Sequence, residues 1–190
     1  PGCIDGWVAL NERFGSMPLA EVIQPAIDLA EYGFPASPLL VGAVRQLDSR
    51  GAEALHELSS QATSVGAVVR RPGVARALRA VASGGRDGFY LGEFGQGLKE
   101  LGNGLFHDRD LEQSSAEWVT PLTSSAFGVD LHTIPPNSQG YLTLGAASLL
   151  DGIDLGETDD DRWAHLTIEA SKVAGFDRPQ VLGDRADGNE

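Results

Sequence analysis

The placement of proline and glycine constrains this chain more than any other feature. Ten prolines and 24 glycines among 190 residues imply a heavily punctuated backbone, with the apolar periodicity cut into segments. Asp5 precedes Trp7, Leu10 and Phe14 at helical spacing, and Gly15 supplies a stop, which predicts a short amphipathic helix with Asp5 as its cap. Ser16 is expected to cap a second segment whose Leu19, Val22, Ile23, Ala26, Ile27 and Ala30 form an apolar stripe ending at Gly33. Pro25, lacking an N–H, is expected to break or kink it. Ser37 followed by Pro38 predicts a capped helix through Leu39, Leu40, Ala43, Val44 and Leu47.

Further along, a helix is expected over Ala52 to Leu58, then a loop over Gln61 to Arg71 with a short extended run at Val65 to Val69. Pro72 opens a helix that Gly84 and Gly85 should stop, and Asp87 to Leu101 reads as a weak helix because each interior glycine costs about 1 kcal/mol. Asp108 is expected to cap a short turn. Ala116 to Thr120 and Phe127 to Thr133 alternate like half-buried strands and are expected to pair as a ribbon. Pro135, Pro136 and Asn137 form a turn feeding a Leu-rich helix closed by Gly152. Asp159 to Asp161 then start the last long helix, where negative charge complements the positive end of the dipole. The tail from Asp184 to Glu190 is polar and expected to fray. Taken together, these elements predict an α+β fold that is predominantly α-helical, in one segment spanning residues 1–190, with no repeat at a period of about 20 to 50 residues.

A net charge of −13 repels nucleic-acid phosphates and anionic membranes, since binding either relies on clustered Lys and Arg; neither is expected as a partner. The single cysteine, Cys3, excludes an internal disulfide framework and any multi-cysteine zinc site. No apolar run approaches the roughly 20 residues needed to span a bilayer. The compartment stays open.

The local candidates for chemistry each have a plainer structural explanation. Pro1 carries no hydroxyl or thiol for N-terminal-nucleophile catalysis, although its secondary amine could in principle shuttle a proton. Cys3 is expected to be a small buried thiol, not a nucleophile with a depressed pKa. His56, His107, His132 and His165 have no i, i+4 partner and no adjacent cysteine, so surface or supporting roles are expected and no metal site. Asp159 to Asp161 lack the alternating oxygen ligands and turn glycine of a calcium loop. Gly92 to Gly97 lacks the spacing of a dinucleotide or phosphate loop. Ser138 has no nucleophile elbow around it and is expected to cap a helix. No catalytic, cofactor-binding or metal-ligating residue is therefore assigned, and no cofactor.

Several strings nevertheless stand in an order that a chance match to one short pattern does not produce. They are Pro1-Gly2 to Trp7 with Met17-Pro18-Leu19, Pro25-Ala26 and Gly33-Phe34; Arg71-Pro72 to Leu78; and Gly85-Arg86-Asp87-Gly88-Phe89-Tyr90-Leu91-Gly92. Glu117-Trp118-Val119-Thr120-Pro121 and Pro135-Pro136-Asn137-Ser138-Gln139-Gly140 follow. His165-Leu166, Glu169-Ala170, Lys172, Asp177-Arg178 and Leu182-Gly183-Asp184 close the series. In this order the chain resembles the gamma-glutamyltranspeptidase family, N-terminal-nucleophile hydrolases, and specifically the interior of the large subunit. It departs from the family pattern at Gly95 to Gly104, where a segment is shortened, and at Asn137, where a third proline is common; a divergent subfamily is implied.

The resemblance implies the helical part of a large subunit packed around an αββα sandwich. It also implies a small-subunit partner carrying the N-terminal Thr nucleophile, and a gamma-glutamyl substrate such as a glutathione-type amide. The family's carboxylate-binding arginine lies upstream of such a region, and its nucleophile and oxyanion hole lie downstream. The segment alone is accordingly expected to be inactive and to self-associate through apolar surface that its remainder would cover. The alternatives are a cephalosporin-acylase-like amidohydrolase and a non-catalytic helical binding or scaffold domain.

Overall fold

The computed structural model describes residues 2–156 and 159–183. The frayed tail expected from Asp184 onward, and Pro1, lie outside the described residues. Contacts divide the chain into two compact units, Pro1–Ala116 and Glu117–Glu190. The fold is α+β and mostly helical, as the periodicity predicts.

Among its described residues the first unit holds eight helices and one small ribbon: α1 (Cys3–Phe14), α2 (Leu19–Tyr32), β1 (Phe34–Pro35), α3 (Pro38–Arg45), α4 (Ser49–Ala54), α5 (His56–Ser59), β2 (Val68–Val69), α6 (Pro72–Tyr90), α7 (Glu93–Gly102) and α8 (Asp108–Glu112). Its main core gathers Ile4 from α1, Ile23 and Ile27 from α2, Val81 and Tyr90 from α6, and Leu111 from α8. Ile27 is 2% exposed, and burying such a side chain stabilises by about 1.5–3 kcal/mol. A second cluster, Ala36, Val41, Ala62 and Val69, forms around the β1–β2 ribbon, which is antiparallel with Phe34 opposite Val69. Gln61 extends that ribbon: its side-chain carbonyl accepts from Arg70 N–H at 2.8 Å and its amide donates to the Arg70 carbonyl at 3.0 Å.

Capping chemistry is realised where the sequence spells it out. The Ser37 hydroxyl accepts from Leu40 N–H at 3.1 Å with Pro38 in the first turn, and Gly33 closes α2. Elsewhere the local rules are overridden. Pro25 sits inside α2, which continues as one helix, and Pro18 takes the N-cap position expected of Ser16. Asp5 is not a cap: α1 begins at Cys3 after Gly2, and Asp5 lies inside the first turn, 4% exposed. The face of α1 turned inward carries Ile4 and Asp5, leaving Trp7, Leu10 and Phe14 at 40%, 53% and 66% exposure. The expected Ala52–Leu58 helix divides into α4 and α5. His107, not Asp108, caps α8, through a reciprocal box with Asp110.

The glycine pair expected to end α6 instead bends it. Gly85 adopts φ 55°, ψ −137°, a non-helical conformation costly for any residue with a Cβ, and the helix resumes through Tyr90. In α7, Gly95 packs so closely on the Tyr90 carbonyl oxygen that a Cβ would overlap it, while a Cβ at Gly97 meets nothing within 4 Å.

The second unit holds β3 (Leu122–Ala126), β4 (Val129–Thr133), α9 (Gly140–Asp151), α10 (Asp160–Ala174) and α11 (Arg178–Val181). The expected ribbon exists, but its first strand is Leu122–Ala126, not Ala116–Thr120. Phe127 and Gly128, both at positive φ (53° and 75°), make the two-residue turn, and this fixes Ala126 opposite Val129. α9 packs on both strands and on α10. Asp159 caps α10 by accepting from Arg162 N–H at 2.8 Å, as expected.

Gly95 and Gly97 of α7 should respond oppositely to alanine. Gly95→Ala is expected to destabilise the chain by about 1–3 kcal/mol through overpacking, whereas Gly97→Ala should stabilise it by about 0.5–1 kcal/mol through helix propensity. Urea denaturation of both variants measures the difference; equal effects would contradict the close Tyr90 contact.

Candidate functional site

The most elaborate polar constellation in the first unit converges on Arg86, the residue that follows the Gly85 bend. Its Nε lies 2.6 Å from Asp5 Oδ1, a close Coulombic contact without the alignment of a directed hydrogen bond. One terminal nitrogen donates to the Leu111 carbonyl at 2.5 Å and the Gln113 carbonyl at 2.7 Å; the other reaches Asp87 Oδ1 at 3.1 Å. The second Asp5 oxygen accepts from Ser115 N–H at 2.9 Å. The guanidinium also stands 5.1 Å from the Tyr90 ring centre, and the Tyr90 hydroxyl accepts from Gly2 N–H at 2.7 Å. Beside this node is an open cleft of about 390 Å³, lined by Asp5, Val8, Glu12, Gly85, Arg86 and Ser114.

Chemically the node is a lock. Both charges are committed, the carboxylate to a guanidinium and an amide and the guanidinium to two carboxylates and two carbonyls, so neither is free to move a proton or hold a substrate charge. A second cleft, of about 270 Å³, lies between α6 and α7, with Ala77, Ala80, Phe94 and Leu98 as its apolar walls. Arg76 and Glu93 form a forked pair at its edge: Nε to the two carboxylate oxygens at 3.1 and 3.0 Å, Nη2 to Oε1 at 2.8 Å. The hydrogen bonds and the charge of Arg76 hold the Glu93 carboxyl below the usual Glu value, and Glu93 in turn raises Arg76. The pair is solvent-exposed, so its contribution to stability is small.

The residues weighed from sequence are dispersed. Cys3 is exposed at the start of α1, which corrects the expected burial: with Ile4 and Asp5 facing the core, the preceding position turns outward. His56 on α5, His107 before α8, His132 on β4 and His165 on α10 are all exposed. His132 Nδ1 is 2.9 Å from Thr123 Oγ1 across the ribbon. Among the described residues no three His, Cys, Asp or Glu side chains assemble as a metal site. Asp159 to Asp161 serve the start of α10, and Gly92 precedes α7 as its N-cap. Ser138 accepts from Gly140 N–H at 3.4 Å, but the N-cap position of α9 belongs to Gln139, one residue later than expected. No described helix is long and apolar enough to cross a membrane. Sequence reasoning missed the Asp5–Arg86 node, although an Arg directly after a glycine pair was the available signal.

Two features therefore define the chain: a helical scaffold bent at Gly85 and a buried ionic lock that closes it. The family model for gamma-glutamyltranspeptidase matches residues 1–189, and the chain belongs to that family. It is 33% identical over 202 residues to the acylase ACY 1 proenzyme of Pseudomonas sp. (strain SE83), covering 98% of this chain and 35% of that protein. It is 30% identical over 204 residues to the glutathione hydrolase-like YwrD proenzyme of Bacillus subtilis (strain 168), covering 98% and 37%. Its fold superposes on the crystal structure of Helicobacter pylori gamma-glutamyltranspeptidase with a TM-score of 0.84 at 22% identity, covering 97% of this chain and 56% of that one. The chain thus spans little more than a third of the length of these curated relatives.

Two measurements follow from these pairs. Asp5→Asn, which strands a mostly buried guanidinium, should cost about 3–5 kcal/mol in urea denaturation. A double-mutant cycle with Arg86→Lys should show coupling above about 0.5 kcal/mol; additivity would dismiss the lock. For Glu93, whose folded value is lowered, the stabilisation is present above the ordinary Glu value and is lost as pH falls through the folded one. Its carboxyl resonance should accordingly titrate below the usual Glu range and return to it in Arg76→Ala. An unchanged midpoint would contradict the pairing.

Proposed function

We propose that this chain is the helical part of the large subunit of a gamma-glutamyltranspeptidase-like enzyme, which transfers gamma-glutamyl groups from glutathione-type amides to water or an amine. The observation that carries this reading is the match of the family model to residues 1–189. In the proposed enzyme, a threonine at the N-terminus of a small-subunit partner attacks the amide to form an acyl-enzyme. Backbone N–H groups then stabilise the tetrahedral oxyanion by roughly 3–4 kcal/mol per key donor. On this reading the partner supplies the nucleophile and its amine base, and the present residues supply a rigid support. That division is consistent with the described residues, where the most elaborate polar cluster of the first unit directs its charges at one another and at backbone groups.

A second reading has its own support, because the relative that is 33% identical is named an acylase. It keeps the same nucleophile chemistry and changes the acyl group that the pocket accepts. Both readings are tested by releasing a chromogenic amine from a gamma-glutamyl anilide and from a side-chain acyl amide of an aminocephem. The isolated chain is expected to turn over neither. Co-produced with the remaining two thirds of a family-length polypeptide, it should turn over the gamma-glutamyl substrate. Turnover by the isolated chain would overturn the division of labour, and preference of the assembled enzyme for the cephem amide would replace the first reading with the second.

A further inference from the structure

The end of α7 carries a pair of residues that no part of the proposed chemistry uses. Asn103 closes the helix in the left-handed conformation, φ 46° and ψ 50°, and Gly104 follows at φ 89°. Both are exposed, and they form the middle of a turn spanned by one hydrogen bond, from Leu105 N–H to the Gly102 carbonyl at 3.0 Å. Among the described residues nothing else restrains the pair: the Asn103 side chain has no hydrogen-bond partner, and neither Asn103 nor Gly104 donates its N–H. Asn11 provides the contrast. It lies inside α1, its side-chain amide donates to the Met17 carbonyl at 3.0 Å, and a residue with a Cβ, Glu12, follows it.

We propose that Asn103–Gly104 is a self-modification site, at which the backbone of Gly104 displaces the Asn103 side-chain amide and water completes its conversion to aspartate and isoaspartate. The Gly104 amide nitrogen, having lost its proton to solvent base, attacks Asn103 Cγ. The N–Cγ bond forms, the Cγ–Nδ2 bond breaks, and Nδ2 leaves as ammonia with a proton from solvent. Water then opens the resulting five-membered imide. Cleavage at Cγ gives aspartate; cleavage at the main-chain carbonyl gives isoaspartate, with the chain routed through Cγ. One water is consumed and one ammonia released, with no change in oxidation state.

Two physical features select this position. Glycine leaves the attacking nitrogen unshielded by a Cβ, and ring closure requires Asn103 ψ to rotate away from 50°, against the single turn hydrogen bond. The product matters to the local fold. A new carboxylate stands at the negative end of the α7 dipole, just beyond Lys99 in the last turn. Lys99 now pairs with Asp108 at 2.5 Å, tying α7 to α8, and residue 103 becomes a competitor for that ammonium.

The test is a time course of the full chain in mildly alkaline buffer, native and in urea, read by peptide mass spectrometry and enzymatic isoaspartate methylation. Native Asn103 should convert within about tenfold of its rate in urea, and at least about tenfold faster than native Asn11. In urea, where folding plays no part, Gly104→Ala should slow conversion by at least about tenfold. Native conversion more than about tenfold slower than in urea would show that the turn protects the site and would overturn the proposal, as would an Asn11 rate equal to that of Asn103.

Discussion

The structure of the first unit depends on burying one charge beside another. Asp5 is 4% exposed, and an isolated carboxylate so placed would lose several kcal/mol of hydration. Arg86 offsets that loss only because it arrives with the correct orientation, and its orientation comes from the Gly85 bend. Were α6 straight, successive side chains would keep their helical phase, and Arg86 could not address α1 and the segment after α8 together. The same bend sets the second half of α6, which carries Tyr90 into the core with Ile4 and Leu111. A backbone conformation cheap only for glycine therefore positions a guanidinium, and the guanidinium fixes where the chain after α8 runs. The lock is better regarded as a device for uniqueness than for stability, since apolar replacements of buried pairs are often as stable.

What was legible in the sequence is what local chemistry decides alone. Ser37 with Pro38, Gly33 and Asp159 each satisfy orphan helix-end groups within four residues of themselves, and each is found in its expected role. Helical spacing was legible too, but it identifies a helix without saying which face meets the core. In α1 the spacing of Trp7, Leu10 and Phe14 was correct as periodicity, while the buried face carries Ile4 and Asp5. Pro25 does not break α2: the loss of one backbone hydrogen bond is a local cost, and the packing of Ile23, Ile27 and Ala30 is a tertiary gain that exceeds it. The ribbon was misplaced at its first strand because Thr123, Ser124 and Ser125 lack the apolar alternation seen at Ala116 to Thr120. Their register is set from the other end, by the positive-φ turn at Phe127 and Gly128.

The two units differ in how their cores are built. The first buries branched and aromatic side chains in two clusters, whereas among the described residues of the second only Ala126 and Ala170 are fully buried hydrophobics. Trp163, Ile168, Val173 and Phe176 of the second unit are between 54% and 85% exposed. Apolar surface of that kind is normally covered in a stable soluble protein. Its presence agrees with a chain that spans little more than a third of its relatives' length.

Family membership fixes the class of scaffold and leaves the substrate open, for a physical reason. Discrimination between a gamma-glutamyl amide and a bulkier acyl amide requires groups that touch the acyl chain, and a fold hosts such groups without determining them. In this chain the buried charges are spent on one another, and the histidines face solvent on separate elements. Relatives named as an acylase and as a glutathione hydrolase-like protein match the same residues at nearly the same identity, 33% and 30%. Similarity of this order to both relatives places the chain in the family and carries no information on the acyl group.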